Sequence, residues 1–387
     1  MSNIFDYLLW RDVSMGLLPF NEIDNLILAR FSYFPLDGFI KNEEKVTIHE
    51  LYERYVNGKV RGRILQPEDP NLFKALAKST RFSNFLVTRY INKFVPEEEK
   101  QFAAVTILFS NSNTMYVSYR GTDSTIIGWK EDFNMSFSDV VPAQKEAVLY
   151  LNSIAKEFKK RDIIVGGHSK GGNLAVYSST FCDEKVQNRI IAIYNNDGPG
   201  FHNSVVNCDN YNKVLNRIVT YIPQTSIIGR LLEHKEKTII LKSTQTGIMQ
   251  HNLYTWQVLA DKFVKDELTY SSEVIDKTIS NWLKEISPDQ REVFINTLFE
   301  ILSATNASTL PQISDKWFSS AKTMLKTYKN LDSKSKEIMI EALNALLKIG
   351  KSSMKKQKYE PKGLVKTNNT LNKYTNMNIN VIMNKEQ

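Results

Sequence analysis

Residues 163–175, reading IIVGGHSKGGNLA, constrain this chain more than any other stretch. The apolar run Ile163, Ile164, Val165 predicts a buried strand, and residues 173–179 predict the start of a helix. Between them Gly167, Ser169 and Gly171 spell G-x-S-x-G. A chain can pass this sharply from strand to helix only where the residues flanking the corner lack a Cβ. The corner residue then takes a strained backbone conformation. Its side-chain oxygen projects above the sheet edge. The opening amides of the helix, Lys170 among them, point at any negative charge that forms there. In this strand–turn–helix setting the serine reads as a nucleophile rather than as a capping residue.

Around this corner the pattern alternates between strands and helices. Residues 103–109 and 114–119 read as strands joined by the Asn111-Ser112-Asn113 turn. Residues 144–158 read as a helix, and residues 190–195, 216–222 and 237–242 as further strands. Strands alternating with helices predict an α/β protein with a mostly parallel central sheet flanked by helices, the α/β-hydrolase architecture. The first 100 residues read as a helical lead-in, with helices over 20–29, 46–56 and 73–79. From about Leu259 the pattern reads as wholly helical. Ser287-Pro288-Asp289-Gln290 carries a cap, a first-turn proline and a capping-box glutamine. The expected organisation is a hydrolase unit over 1–260, a helical region over 261–350 and a Lys/Asn-rich, disordered tail over 351–387.

A serine nucleophile needs a base. Of the five histidines, His49 lies on a predicted helix ahead of the sheet, and His168 lies inside the corner itself. His202, His234 and His251 follow the serine. His251 sits on the loop after the last strand, where the sheet's C-terminal edge can bring it over Ser169, and histidine comes last in the usual hydrolase order. His251 is therefore the expected general base, with His202 and His234 as the other candidates. The acid must end a strand and bond the far imidazole nitrogen. Asp197 ends the strand after the corner, before Gly198-Pro199-Gly200, and is the expected acid; Glu233 and Asp209 are the fallbacks. An oxyanion hole needs a donor besides the Lys170 amide, and Thr122, in the Arg120-Gly121-Thr122 turn after a strand, is placed to supply it.

Tyr119-Arg120-Gly121-Thr122, then Trp129 and Asp132, then Gly167-His168-Ser169-Lys170-Gly171-Gly172 resemble the class 3 lipase pattern over roughly residues 10–260. The Ser-Lys variant, with Pro19-Phe20-Asn21-Glu22 and Gln250-His251, resembles a bacterial family of uncharacterised lipase-like hydrolases more closely. The resemblance implies Ser169 as nucleophile, His251 as base, and Thr122 with Lys170 as oxyanion hole. It also implies that the region between Asp123 and Val140 covers the site as a lid. One departure stands out. Class 3 lipases carry their acid after the strand that here ends at Pro223, where this chain has no carboxylate. Either Asp197 substitutes from the neighbouring strand end, or the triad is incomplete.

Composition sets the outer limits. A chain of 387 residues with 42% hydrophobic content has ample material for a core. Cys182 and Cys208 have no metal-like spacing, and neither a metal nor an organic cofactor is expected. No apolar run approaches a membrane span, and the N-terminus lacks a secretory signal, so a cytoplasmic location is expected, with signal-less export as the alternative. The net charge of +8 fits peripheral contact with an anionic membrane surface. No nucleic-acid-binding signature accompanies it. The sequence reading is thus acyl-ester hydrolysis on a lipid or phospholipid substrate. The rivals are a thioesterase, peptidase or acyltransferase using the same triad, and a hydrolase fold that has lost catalysis and serves as a binding module.

Overall fold

The computed structural model describes residues 2–98, 100–110, 112–123, 130, 134, 135, 140–226, 228–267, 278, 281, 282, 285–305, 317–342, 344 and 345. One eight-stranded sheet organises it: β1 (Val46–Thr47), β2 (Leu86–Val95), β3 (Lys100–Leu108), β4 (Thr114–Tyr119), β5 (Asp162–His168), β6 (Ile190–Asn196), β7 (Ile218–Pro223) and β8 (Lys237–Leu241). Strands β1 to β4 pair antiparallel, and β4 to β8 pair parallel. This is the α/β-hydrolase class that the sequence predicts.

Spatial order follows chain order across the whole sheet. Right-handed crossovers between strands laid down in one direction all fall on the same face, so the other face needs a separate cover. The N-terminal helices provide it: α1 (Ile4–Trp10), α2 (Glu22–Phe31), α3 (Ile48–Asn57) and α4 (Asp69–Lys78). Leu26, Ile27 and Phe31 belong to one buried cluster with Val105, Ile107, Tyr116 and Ile164 of the sheet. On the opposite face α5 (Pro142–Glu157) and α6 (Lys170–Phe181) bury Ala147, Leu151, Leu174 and Val176 against Met115, Val117, Ile163 and Val165. The alternation of Met115, Tyr116 and Val117 between the two clusters is the period-two signature of a strand buried on both sides. Two buried ion pairs stiffen the N-terminal layer. Arg30 bonds Asp69 through Nε at 2.7 Å and Nη2 at 2.6 Å, and Arg81 bonds Asp24. Loss of one partner in such a pair leaves an uncompensated buried charge, a cost of about 3–5 kcal/mol.

Three sequence expectations need correction. The lead-in over 1–100 is not purely helical, because it contributes β1 and β2 to the sheet. The alternation in β2 is masked by a bulge between Thr88 and Ile91, where Arg89 has φ 54° and the inward face changes phase. Helix α4 begins at Asp69, earlier than expected, since Pro70 in the first turn costs no hydrogen bond. The pattern after Leu259 is not helical at once: β9 (Val258–Leu259) and β10 (Lys262–Phe263) form a hairpin, and the Asp266 N–H donates to Ile240 O at 3.0 Å. Contacts with β8 therefore continue to Asp266. Farther on, α7 (Pro288–Ser303) starts with the expected Ser287–Gln290 capping box, and α8 (Trp317–Asn330) follows. Phe294, Ile295, Phe299, Ile338 and Met339 belong to a separate buried cluster. Trp129, Asp132 and most of the expected lid lie outside the described residues, as does the tail over 351–387.

Candidate active site

Ser169 stands at the corner between β5 and α6 with φ 60° and ψ −135°, a backbone conformation that non-glycine residues adopt only under strain. The flanking glycines make the corner possible. A Cβ on Gly167 would lie 2.3 Å from the Gly171 backbone, and one on Gly171 would lie 2.2 Å from Tyr119 O. The Ser169 N–H donates to Asn196 O at 2.9 Å, and Ser169 O accepts from the Gly172 N–H at 2.8 Å. The main chain is thus fixed on both sides, while the hydroxyl makes no hydrogen bond among the described residues. Ser169 lines a cavity of about 300 Å³ together with Thr122, His168, Met249 and His251.

His251 ends a short helical turn over Gly247–His251. Its Nδ1 lies 2.7 Å from Asp197 Oδ2. A carboxylate oxygen only accepts, so Nδ1 carries the proton and Nε2 of the neutral ring is left as an acceptor. Asp197 follows β6, has φ 54° and is fully buried; its N–H donates to Tyr221 O at 2.8 Å. Left-handed backbone of this kind is tolerated by aspartate better than by most residues. The loop after Pro223 offers no carboxylate here. Instead the Thr225 amide and hydroxyl donate to Gln250 Oε1 at 2.8 and 2.7 Å. Gln250 is buried, and its carbonyl accepts from Trp256 Nε1 at 2.8 Å. A neutral clamp on the residue before His251 occupies the region in which the lipase resemblance places the acid.

His168 plays a part that its place in the sequence does not suggest. Its ring is buried, with its centroid 4.5 Å from that of His251. Nε2 donates to the His251 carbonyl at 2.8 Å, and the one Tyr33 hydroxyl proton is shared between the His168 carbonyl at 3.1 Å and Nδ1 at 3.2 Å. Burial, then the neighbouring His251 and Arg30, hold the ring well below the ordinary histidine range, so it stays neutral. Tyr33 Oη also accepts from the Gly121 N–H at 3.0 Å. One tyrosine thereby links the corner to the turn that carries Thr122. Lys170 is buried, and its Nζ donates to Gln101 O at 3.0 Å, while Gln101 Oε1 accepts from the Asp123 N–H at 3.2 Å. Neither Tyr33 nor Gln101 carries a local sequence signal, since both act across long separations in the chain.

The other candidates lie elsewhere. His202 Nε2 is 2.8 Å from Met135 O, and His49 Nδ1 is 3.1 Å from Ala77 O. His234 pairs with Glu236 at 2.8 Å. Glu233 and Asp209 are exposed. Among the described residues no group of three or more His, Cys, Asp or Glu side chains is arranged to hold a metal ion, and no helix is long and apolar enough to cross a membrane.

A mostly parallel sheet with a serine at the strained strand–helix corner, and an imidazole–carboxylate pair at the same edge, is the arrangement of an α/β-hydrolase fold. The chain belongs to the Mbeg1-like family, whose model matches residues 76–300, more than half of its length. Among solved structures it is similar to the native Rhizomucor miehei lipase propeptide complex, at 16% identity and a TM-score of 0.34, with 45% of this chain and 70% of that one covered. It is also similar to lipase II from Rhizopus niveus, at 13% identity and a TM-score of 0.36, with 57% and 83% covered. A lipase from Rhizopus microsporus var. chinensis gives 15% identity and a TM-score of 0.32, with 62% and 87% covered. No curated protein matches the chain in sequence.

Proposed function

We propose that the protein is a serine hydrolase that cleaves carboxylic acyl esters of lipids, with Ser169, His251 and Asp197 as its triad. The observation that carries this reading is the Asp197–His251 bond at 2.7 Å, made at the edge of the cavity that Ser169 also lines. The Asp197 bond fixes the tautomer in which Nε2 can take a proton. His251 removes the hydroxyl proton of Ser169 as the oxygen attacks the ester carbonyl. The tetrahedral oxyanion is stabilised by the Lys170 amide, in the first helical turn, and by Thr122. Collapse expels the alcohol, which leaves with the proton from His251. Water then repeats the sequence on the acyl-serine and releases the acid. A serine–histidine bond that forms only with substrate bound is common in hydrolases, so the unengaged hydroxyl is compatible with this chemistry.

The test is covalent labelling with a fluorophosphonate probe beside hydrolysis of p-nitrophenyl acyl esters. Wild-type protein labels at Ser169 and turns over the esters, and Ser169→Ala does neither. Equal ester rates for the two proteins, or a wild-type Ser169 that the probe leaves unlabelled, would favour a binding module on a lapsed hydrolase fold. A panel of thioesters and acyl acceptors separates ester hydrolysis from acyl transfer.

A further inference from the structure

Beside the cavity that holds Ser169 lies a second one of about 230 Å³, and the two share Tyr33, Leu65 and Asp123 as walls. Charges of both signs line the second cavity, including Arg120 and Asp37. Arg63 shares this cavity with Arg120, and Arg120 differs from the ion-paired arginines elsewhere in the fold. Arg30 is bonded to Asp69, Arg81 to Asp24, and Arg89 to Glu157. Arg120 has no carboxylate partner among the described residues. Its guanidinium donates once, from Nη2 to Asn92 Oδ1 at 3.0 Å, and its Nε is buried without a hydrogen-bond partner. A guanidinium offers five donors in a planar fork that matches two oxygens of one anion. The same Asn92 amide donates from Nδ2 to Asp37 Oδ2 at 2.9 Å. Asp37 Oδ2 also takes the Tyr90 hydroxyl at 3.0 Å, while its Oδ1 makes no hydrogen bond among the described residues. A cation with unused donors and an anion with an unused acceptor therefore face one cavity, one amide apart. The rings of Tyr33 and half-exposed Phe94 line it as well.

We infer that this second cavity receives the zwitterionic headgroup of a glycerophospholipid, with its phosphate on Arg120 and its ammonium against Asp37, while the acyl ester lies at Ser169. The inference rests on the acyl-ester reading and narrows its substrate. A neutral glyceride leaves the buried Nε unpaired. A purely anionic headgroup satisfies Arg120 but meets the like charge of Asp37. Only a ligand carrying both signs at short separation uses both groups. The aromatic faces add attraction for a quaternary ammonium.

The experiment uses full-length Ser169→Ala protein, so that no turnover intervenes. Titration calorimetry compares dihexanoyl phosphatidylcholine, below its micelle concentration, with the matching diacylglycerol. The phospholipid binds about tenfold more tightly, the equivalent of about 1.4 kcal/mol. That preference falls to threefold or less when Arg120→Gln is added, with a thermal melt confirming that the variant is folded. Asp37→Asn, added instead, weakens phosphatidylcholine binding but not binding of phosphatidic acid with the same chains. Equal affinity for phospholipid and diacylglycerol overturns the inference, as does a preference that survives both substitutions. This outcome is distinct from failure of the ester reading, which shows as an unlabelled Ser169 in the wild-type protein whatever the headgroup affinity.

Discussion

Two imidazole–carboxylate pairs flank the parallel half of the sheet, one past the C-terminal end of β6 and one ahead of the N-terminal end of β8, and they differ in what surrounds the carboxylate. His251 bonds Asp197 at 2.7 Å, and His234 bonds Glu236 at 2.8 Å, both through Nδ1. Glu236 is saturated: besides His234 it accepts from Tyr211 Oη at 2.6 Å, from the Thr220 hydroxyl and from the Lys235 N–H. Among the described residues Asp197 accepts from His251 alone, and its buried Oδ1 has no partner. Among the described residues the buried His234 Nε2 likewise has no partner, and no serine or cysteine lines the cavity beside it, which is walled by Ile222, Leu232 and Ile240. His251 shares its cavity with Ser169. A carboxylate whose charge is spread over several donors fixes structure. One committed to a single imidazole keeps its field for the moment the ring becomes cationic. Pairing alone therefore does not set the two apart; the unshared carboxylate and the neighbouring hydroxyl do.

The sharpest way to break this contrast is to neutralise each acid. Asp197→Asn removes the acceptor that fixes the His251 tautomer, and kcat for ester hydrolysis falls about 10⁴-fold, the scale seen when a triad acid is replaced by its amide. Glu236→Gln leaves kcat per folded molecule within about twofold, because that pair borders no nucleophile. If the two amides cost equal turnover, the division between a working and a structural pair is wrong.

Glu236→Gln shows its effect in stability instead. Burial alone would lift the Glu236 carboxyl, but the His234 bond and charge, then Thr220 and Tyr211, overcome it and bring it from an ordinary 4.5 down to about 2. A carboxyl depressed on folding contributes stability that is complete above the unfolded value. The contribution is lost as pH falls from about 4.5 towards about 2, and a shift of this size is worth on the order of 3 kcal/mol. Urea unfolding of the wild type between pH 6 and pH 2.5 should lose most of that amount relative to Glu236→Gln over the same range. Parallel acid profiles for the two proteins would show that the network around Glu236 does not favour its ionised form.

The loop after β7 presses on one of the two pairs alone. A Cβ on Gly229 would lie 2.3 Å from Asp197 Oδ1 and 3.2 Å from its Cα. Gly229→Ala therefore pushes directly on the proposed acid, because the atoms nearest the added Cβ belong to Asp197 and Ile222 and none to Glu236. A displacement of this kind lowers kcat by about 10- to 100-fold. The Glu236-dependent part of the acid profile stays in place. A Gly229→Ala protein with full activity would show that Asp197 has room the geometry denies it.

The sequence disclosed the parts of this arrangement that rest on local rules. The corner at Ser169 follows from glycines placed two residues either side, and the parallel strands from apolar runs between helical stretches. Asp197 and His251 were legible because a strand end and the loop after the last strand are where a parallel sheet presents side chains to one edge. What depends on contacts between distant segments was hidden. The bulge at Arg89 disguised β2, and nothing near Gln250 announces that it meets Thr225. The need for the N-terminal helices as a cover emerges only once the strand order is known. His234 and Glu236, two residues apart, show no local difference from a surface pair; burial by Tyr211 and Thr220 creates it.

The smallest expected effect concerns the other histidine beside the proposed base. His168 holds the His251 carbonyl through Nε2, so it acts on the position of that residue and not on the reacting atoms. Its ring is held well below the ordinary histidine range by burial, then by His251 and Arg30, and stays neutral where an exposed imidazole would titrate. The unfolded chain gains a proton at this position below pH about 6.5 that the folded chain does not, so this site withdraws stability as pH falls through that value. His168→Phe removes the donor and the titration together. The loss of one neutral hydrogen bond, about 1 kcal/mol, lowers kcat by several-fold. KM and the acidic limb of the kcat/KM profile remain, because His168 does not touch the reacting atoms. His168→Asn, which can still donate, recovers part of the rate. If the acidic limb vanishes in His168→Phe, the proton is taken by His168, and the contrast between a base and its positioning neighbour is reversed.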